Sequence, residues 1–103
     1  VVVGAGPNGL AAAITLQEAG CKVLLLEAKA TIGGGMRTVE CTIPGFKHDI
    51  CSAVHPLLAI SPFFASVKWS DYQLQMVNPG ISGAHPLDHQ RTVFLRSSME
   101  LTA

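Results

Sequence analysis

The stretch that decides the fold is residues 1–27, VVVGAGPNGLAAAITLQEAGCKVLLLE. Its first three residues are β-branched and lack alternation, which predicts a strand covered on both faces in a parallel sheet. Gly4 permits a tight turn, Gly6 allows a pyrophosphate to approach the backbone, and Gly9 lets the next helix pack closely on the sheet. Residues 1–27 therefore predict a nucleotide-binding β-α-β unit.

A helix is predicted over residues 8–19, with Gly20 as its C-terminal stop. Its free N–H groups and the positive end of its dipole would neutralise phosphates without any Lys or Arg. Small and apolar residues would form the face that lies on the strands: Gly9, Ala12, Ala13 and Leu16.

Residues 22–27 predict a second buried strand, which a helical crossover makes parallel to the first. Glu27 lies 18 positions beyond Gly9, near the ~20-residue spacing at which an acidic side chain binds the adenosine ribose hydroxyls. Its charge would repel a 2′-phosphate. The alternative is that the glycines serve only a sharp turn. A P-loop is excluded because Leu10 and Ala11 stand where Lys and Ser/Thr would be needed.

The length and composition predict one small domain that is a fragment of a larger one. Only 14% of the 103 residues are charged, against a usual ~25%, and 49% are apolar. A folded piece of this composition would expose surface that further chain covers. Residue 1 starts inside a strand, and residues 97–103 resemble a truncated helix start, with Ser97 as N-cap and Glu100 completing a capping box.

The charge balance favours neither nucleic acid nor an anionic membrane as a partner. Seven Lys and Arg residues balance seven Asp and Glu residues, with no run of either sign. No apolar stretch approaches ~18 residues, so neither a membrane span nor a secretory signal is predicted. Peripheral membrane association and a lost upstream targeting segment stay open, and the sequence leaves the oligomeric state unknown.

The cysteines and histidines predict no metal site. Cys21, Cys41 and Cys51 are odd in number and lack C-x-x-C spacing, which favours core thiols in a reducing, intracellular and cytoplasmic location over a disulfide framework. Pro86 interrupts the one histidine pair with helical metal spacing. His55 is either a packed structural residue or a proton-handling one.

A second glycine cluster follows Glu27 in the loop of residues 28–36. Gly33, Gly34 and Gly35 would allow another close backbone approach to the same ligand, the alternative being a flexible link.

These segments together resemble a known family. Residues 4–9, 25–29 and 33–38 resemble the FAD-binding N-terminus of the phytoene desaturase and amine oxidase superfamily. Residues 44–49, Ser52 and residues 55–64 narrow the resemblance to the phytoene dehydrogenase-related oxidoreductases, and it continues through residues 85–88. The resemblance covers nearly all of this chain but only the N-terminal part of a family member.

The resemblance implies FAD as the bound dinucleotide and an α/β fold class. The expected fold is a partial Rossmann-like FAD-binding domain with a β-α-β unit, a parallel sheet core and additional short strands, residues 1–103 being its N-terminal part. An Arg commonly follows the glycine pair in amine oxidase relatives, but Gly35 stands there, so that flavin contact is not carried over. The implied cofactor-binding residues are Gly4, Gly6, Pro7, Asn8, Gly9, Glu27, Ala28, Lys29, Gly33, Gly34, Gly35, Met36 and Arg37.

The rest of the chain predicts short elements. Residues 38–43 and 46–50 form a β-hairpin around the Pro44–Gly45 turn, and the resemblance places the turn of residues 51–53 near the isoalloxazine. Residues 56–67 are helical with a break at Ser61–Pro62. The remaining predictions are a helix over residues 69–72 and strands over residues 74–77 and 91–95.

The predicted function is that of a FAD-dependent oxidoreductase whose parent protein removes hydride from an apolar, polyene-like organic substrate. No nucleophile, triad or carboxylate pair is present, so any catalytic side chain would belong to a substrate domain. The alternatives are an NAD-dependent dehydrogenase, a non-catalytic binding protein of the GDP-dissociation-inhibitor type, and an inactive truncated product. The intact glycine set with Glu27 argues against the binding protein. The 103-residue chain alone is expected to bind FAD weakly or not at all.

Overall fold

The computed structural model describes residues 1–102 and divides the chain into two compact units, Val1–Val67 and a second that begins at Lys68. The first unit contains strands β1 (Val2–Val3) and β2 (Leu25–Leu26), helix α1 (Pro7–Glu18), strands β3 (Thr38–Val39) and β4 (His48–Asp49), and helix α2 (Pro62–Ser66). The second contains strands β5 (Ile81–Pro86) and β6 (Thr92–Arg96). Four short 3₁₀ helices complete the elements: Gly34–Met36, Pro56–Ile60, Trp69–Tyr72 and Met99–Leu101.

The first two strands form the predicted parallel pair, in the register Val2 to Leu25 and Val3 to Leu26. Hydrogen bonds from Val2 N to Leu24 O (2.8 Å) and from Gly4 N to Leu26 O (2.7 Å) flank it. The strands are shorter than predicted, but their order and direction agree with the sequence. The pair delivers residues 4–9 and Glu27 to the same edge.

Helix α1 ends as its sequence predicts. Gly20 has φ +84°, in the left-handed region. The N–H of Gly20 bonds Gln17 O (2.9 Å) and the N–H of Cys21 bonds Leu16 O (3.0 Å), which is the hydrogen-bond pattern of a Schellman motif. Glycine is favoured here because an L-amino acid with a Cβ would strain the backbone at this angle.

Burial around the parallel pair differs from the prediction. Helix α1 packs on one face, where a Cβ on Gly9 would lie 3.8 Å from the Val2 side chain. The other face is open, and Val1 and Val3 are 82% and 80% exposed. Two strands and one helix cover a single face, so the expected burial on both sides is wrong for the described residues. Among them only Ala5 and Ala13 are buried, and Ala12 and Leu16, both predicted to face the strands, are exposed.

The predicted hairpin forms between β3 and β4, which pair antiparallel. Its turn is closed by a hydrogen bond from Phe46 N to Ile43 O (3.0 Å), with Gly45 at φ +89°. A proline before a positive-φ glycine is the sequence of a type II turn. Thr38 Oγ1 donates to Asp49 Oδ1 across the strands (2.6 Å).

The apolar segment after the hairpin breaks where the sequence predicted. A 3₁₀ helix occupies Pro56–Ile60, Ser61 is extended with ψ 125°, and α2 starts at Pro62. Proline disfavours helical geometry at the residue before it, which ends the first segment.

In the second unit, β5 and β6 form an antiparallel pair with a register shift between Ile81 and Gly83. Strand β6 and the helix over Trp69–Tyr72 confirm their predictions. The strand predicted over residues 74–77 is wrong, because β6 takes its partner from residues 81–86 instead.

The predicted capping box near the C-terminus is also wrong. Ser98, without a side-chain cap bond, precedes the Met99–Leu101 turn. Thr102 Oγ1 donates to Ser98 O (2.9 Å) instead, which holds the turn from its other end. Ala103, the last residue of that prediction, lies outside the described residues.

The three cysteines are exposed, so their prediction as core thiols is wrong. Each lies in a connecting segment outside the helices and strands. No helix within residues 1–102 has the length and apolar character to cross a membrane.

Candidate functional site

The glycines of residues 4–9, here called the glycine loop, differ in what the fold requires of them. Gly4 has φ +94°, which favours glycine on backbone grounds alone. A Cβ on Gly9 would overlap the Gly4 carbonyl oxygen, so close packing of α1 on the strand end excludes a side chain. Gly6 is extended (φ −74°, ψ 175°), and a Cβ there would lie no nearer than 3.9 Å to any protein atom, at Gly34 Cα. The fold requires glycine at residues 4 and 9 but not at residue 6.

The N-terminus of α1 presents backbone donors without a competing acid. Gly6 is the N-cap with no side-chain cap bond, and the first turn contains no acidic residue. Pro7 has no N–H, and the first helical hydrogen bond runs from Leu10 N to Gly6 O (2.9 Å). The N–H groups of Asn8 and Gly9 precede this bond, so they belong to the helix donors that are free to bind an anion.

Glu27 lies where β2 meets the glycine loop. Its Oε2 accepts the Ala5 N–H at 2.7 Å, and its Oε1 accepts the Lys29 N–H at 2.9 Å. These donors, Ala5 first, hold the pKa of Glu27 below its ordinary value, with a smaller Coulombic contribution from Arg37. The carboxylate is therefore ionised at neutral pH and fixed against the end of the first strand.

The second glycine segment, residues 33–37, packs directly on the glycine loop. Gly33 N donates to Ala5 O at 2.7 Å. Gly33 and Gly34 have φ +111° and +56°, and a Cβ on Gly34 would lie 2.9 Å from Gly6 Cα. The backbone of this segment closely approaches the glycine loop, and a side chain at Gly34 would push the two apart. Its predicted approach to a ligand stays a prediction.

Arg37 folds back over this segment. Its Nε donates to Gly34 O (2.8 Å), and its Cγ would lie 3.1 Å from a Cβ on Gly33. Gly35 contacts a different element, because Ser52 N donates to Gly35 O (2.9 Å) and a Cβ there would lie 3.4 Å from Cys51 Cβ. The turn of residues 51–53 is in this way joined to the second glycine segment.

The structure brings most of the sequence-predicted site residues together. The glycine loop, Glu27 and residues 33–37 form one cluster, called the glycine corner below. Asn8, Ala28 and Lys29 are exposed at its margin, and Lys29 takes part through its backbone N–H. Met36 is half-buried and its N–H bonds Gly33 O (3.0 Å).

Sequence reasoning missed Ala5. It is 0% exposed, and both of its backbone polar groups are bonded within the glycine corner. The only sequence signal is a small residue between two glycines.

The histidines form no metal site in the part of the chain that the structure describes. His48 shares a hydrogen bond with Thr42 Oγ1 (2.7 Å), and within residues 1–102 no group of three His, Cys, Asp or Glu side chains is placed to hold a metal ion.

Residues 2–65 match the family model of the NAD(P)-binding Rossmann-like domain. The chain belongs to this family. The match begins at β1 and ends within α2, so it includes the whole glycine corner.

Relatives of this Rossmann-like chain are similar over short stretches. It is 64% identical over 39 residues to hydroxyneurosporene desaturase of Cereibacter sphaeroides, covering 38% of this chain and 8% of that protein. It is 47% identical over 58 residues to pyridine nucleotide-disulfide oxidoreductase domain-containing protein 2 of Mus musculus, with 56% and 10% covered. With thiamine thiazole synthase of Desulfosudis oleivorans the identity is 63% over 35 residues, with 34% and 14% covered.

The chain thus spans about a tenth of the length of these relatives. No solved structure gives a significant match. The family match and the desaturase relative confirm the predicted resemblance to phytoene desaturase-like oxidoreductases, and they place the chain among dinucleotide-binding proteins.

Proposed function

We propose that residues 1–103 form the N-terminal part of a FAD-binding domain in an oxidoreductase that removes hydride from an apolar organic substrate. The pyrophosphate would bind the glycine loop, and the adenosine ribose would bind Glu27. The second glycine segment, with Arg37, would line the path toward the flavin. Bound flavin would supply the hydride-accepting ring, and the chain's own residues would hold and orient it.

Gly6 carries the proposal. Its backbone angles suit any residue, and a Cβ would meet only an ordinary van der Waals contact. The fold therefore gives no reason for glycine at this position, whereas a close ligand does. The Gly6 backbone lies beside the Asn8 and Gly9 N–H groups at the N-terminus of a 12-residue helix, where a phosphate is favoured. The missing side chain leaves the space that a pyrophosphate needs.

The position of Glu27 supports a ribose contact. Two ionised oxygens that accept one backbone N–H each keep lone pairs for the 2′- and 3′-hydroxyls. The same negative charge would repel a 2′-phosphate, which favours FAD or NAD over NADP.

The open face of the β1–β2 pair supports a larger fold. Parallel strands are covered on both faces in α/β proteins. Val1, Val3, Leu24 and Leu26 are 48–82% exposed. We therefore include in the proposal a wider parallel sheet, to which these two strands belong and whose further segments cover that face.

FAD is preferred to NAD because one relative of the chain is a desaturase and because the chain carries a second glycine segment packed on the glycine loop. A polyene-like substrate rests on the name of that relative. NAD is the second candidate, favoured by the description of the matching family. Visible flavin absorbance in the protein expressed from its complete reading frame would support FAD, and its absence with tight NAD binding would support the alternative.

The test of the site is Gly6→Ala in that protein, with affinity for FAD measured by equilibrium titration. We expect at least about a tenfold loss, or ~1.4 kcal/mol, because the new methyl group occupies the space of the pyrophosphate. The unfolding midpoint should stay near wild type, since the fold has room for this Cβ. Gly80→Ala is the control, because its Cβ meets nothing within 4 Å. An unchanged affinity in Gly6→Ala would contradict the assigned phosphate contact.

A further inference from the structure

Ala5 connects the three segments of the glycine corner through its backbone. Its N–H donates to Glu27 Oε2 at 2.7 Å, and its carbonyl accepts the Gly33 N–H at 2.7 Å. Lys29 N donates to the other oxygen of Glu27 (2.9 Å). We call these three hydrogen bonds the Ala5 clamp. The two bonds of Ala5 join positions that lie far apart in the chain, the Lys29 bond is local, and Ala5 itself is 0% exposed.

We propose that the Ala5 clamp holds the glycine loop in its binding conformation before any nucleotide arrives, so that Glu27 is a positioning residue for the pyrophosphate as well as a ribose ligand. This inference rests on the proposed dinucleotide site and adds a second role for one of its residues. A loop that is already ordered loses less conformational entropy when the ligand binds.

The contacts around the clamp leave the loop little freedom. Gly9 is in contact with the Gly4 carbonyl on one side, and Gly34 is pressed against Gly6 Cα on the other. The two ends of the Ala5 peptide are bonded to different segments, so a movement of the loop breaks at least one bond. Charge-assisted bonds to a carboxylate are stronger than neutral ones, so the two bonds to Glu27 are stronger than the bond from Gly33 N to Ala5 O.

Glu27→Gln separates the clamp from simple sugar recognition. The Gln amide has the same shape but one acceptor oxygen, so either the Ala5 or the Lys29 N–H faces an NH₂ group. Glu40→Gln is the matched control. Glu40 Oε2 accepts the Gly45 N–H (3.0 Å) in the hairpin, which is the same type of contact away from the site.

The first measurement is amide hydrogen exchange at Ala5 in the full chain without nucleotide. We expect the Ala5 amide to be protected from exchange in the wild type. Its protection should fall about tenfold or more in Glu27→Gln and stay unchanged in Glu40→Gln. An unprotected Ala5 amide in the wild type, whether from a mobile loop or an unfolded chain, would overturn the proposal.

The same amide gives a pH test. The pKa of Glu27 is lowered, so the clamp contributes its stability at neutral pH and loses it as the pH falls through this lowered pKa, in the acidic range below the ordinary glutamate value. Besides Ala5, the backbone N–H groups of Lys29 and Ala28 and the charge of Arg37 lower this pKa. Ala5 protection should fall in that acidic range, and protection that persists unchanged below it would contradict the carboxylate contact.

The second measurement compares ADP with 2′,3′-dideoxyadenosine diphosphate, which lacks the ribose hydroxyls, in the protein from the complete reading frame. The clamp predicts that Glu27→Gln weakens both ligands, by about threefold or more for the dideoxy compound. A loss confined to ADP would show that Glu27 serves the sugar alone and would overturn the proposal. Wild-type protein that binds neither ligand would refute the dinucleotide site, while Ala5 exchange would still decide whether the clamp exists.

Discussion

Ala5 donates to a carboxylate 22 positions along the chain, whereas β5 and β6 pair residues that follow one another through a short turn. The glycine corner is assembled from three separate segments by a few backbone bonds, and side chains are excluded at its contacts. The 81–96 hairpin is an antiparallel ladder with one register shift, and a Cβ on Gly83 would make only an ordinary contact. Glycine is therefore a steric requirement at Gly9 and Gly34 in the corner, while Gly83 in the hairpin is only a small residue in a strand.

The two regions also differ in the polar groups that they can offer to a ligand. The corner leaves helix N–H groups and a carboxylate directed at one edge, which is what a dinucleotide requires. The hairpin pairs the inward-facing polar backbone groups of its two strands with each other. Its cation–π contact, with Arg96 Cζ 5.5 Å from the Phe94 ring centre, is a surface packing contact that offers no comparable set of donors.

The largest expected effect is that of Gly9→Ala. Inside a helix, alanine is normally about 1 kcal/mol more stabilising than glycine. Here its Cβ would overlap the Gly4 carbonyl oxygen, and a backbone atom cannot move aside without a large energetic cost. We expect a net loss of about 3 kcal/mol in the free energy of unfolding. Helical circular dichroism during denaturant unfolding measures it, because α1 is the longest helix described.

Gly6→Ala is the control within the same loop, since its Cβ has room. Equal stability of Gly9→Ala and Gly6→Ala would show that the helix does not approach the strand end as closely as described.

Much of the glycine corner could be predicted because its close contacts and backbone angles favour particular residue types. Close approach and positive φ select glycine, and the proposed ribose contact would select an acid, so Gly4, Gly9 and Glu27 are visible in the sequence. The Pro44–Gly45 turn and the break before Pro62 were predictable for the same reason. The Ala5 clamp was not, because most of its partners are backbone groups, which every residue possesses.

Burial and strand pairing could not be predicted because they depend on which other segments of the chain cover a strand or pair with it. Val3 has the residue type of a buried strand, yet only one face of its sheet is covered within the described residues. Residues 74–77 contain strand-forming side chains but form no strand ladder within residues 1–102. Strand β5 contains Gly83 and Pro86, which are poor strand formers, and it forms because β6 lies beside it.

A smaller effect is expected at the end of α1. Gly20→Ala places a Cβ in open space but keeps φ near +84°, so the cost is backbone strain alone, about 1 kcal/mol. Gly20→Asn should lose less, because asparagine tolerates the left-handed region better than alanine. The same denaturation measurement ranks the three proteins. A Gly20→Ala protein as stable as wild type would mean that the Schellman bonds of Gly20 and Cys21 do not require this backbone angle.

The smallest effect, and the one of opposite sign, is expected at Gly83→Ala in the hairpin. A Cβ there would lie 3.9 Å from Leu95 Cβ, an ordinary contact, and glycine inside a strand costs roughly 0.5–1 kcal/mol relative to alanine. We expect the free energy of unfolding to increase by up to about 0.5 kcal/mol. The fluorescence of Trp69, which lies in the same unit, monitors the unfolding. A loss instead would show that the register shift between Ile81 and Gly83 needs glycine. The hairpin would then share the steric requirement that so far distinguishes the corner.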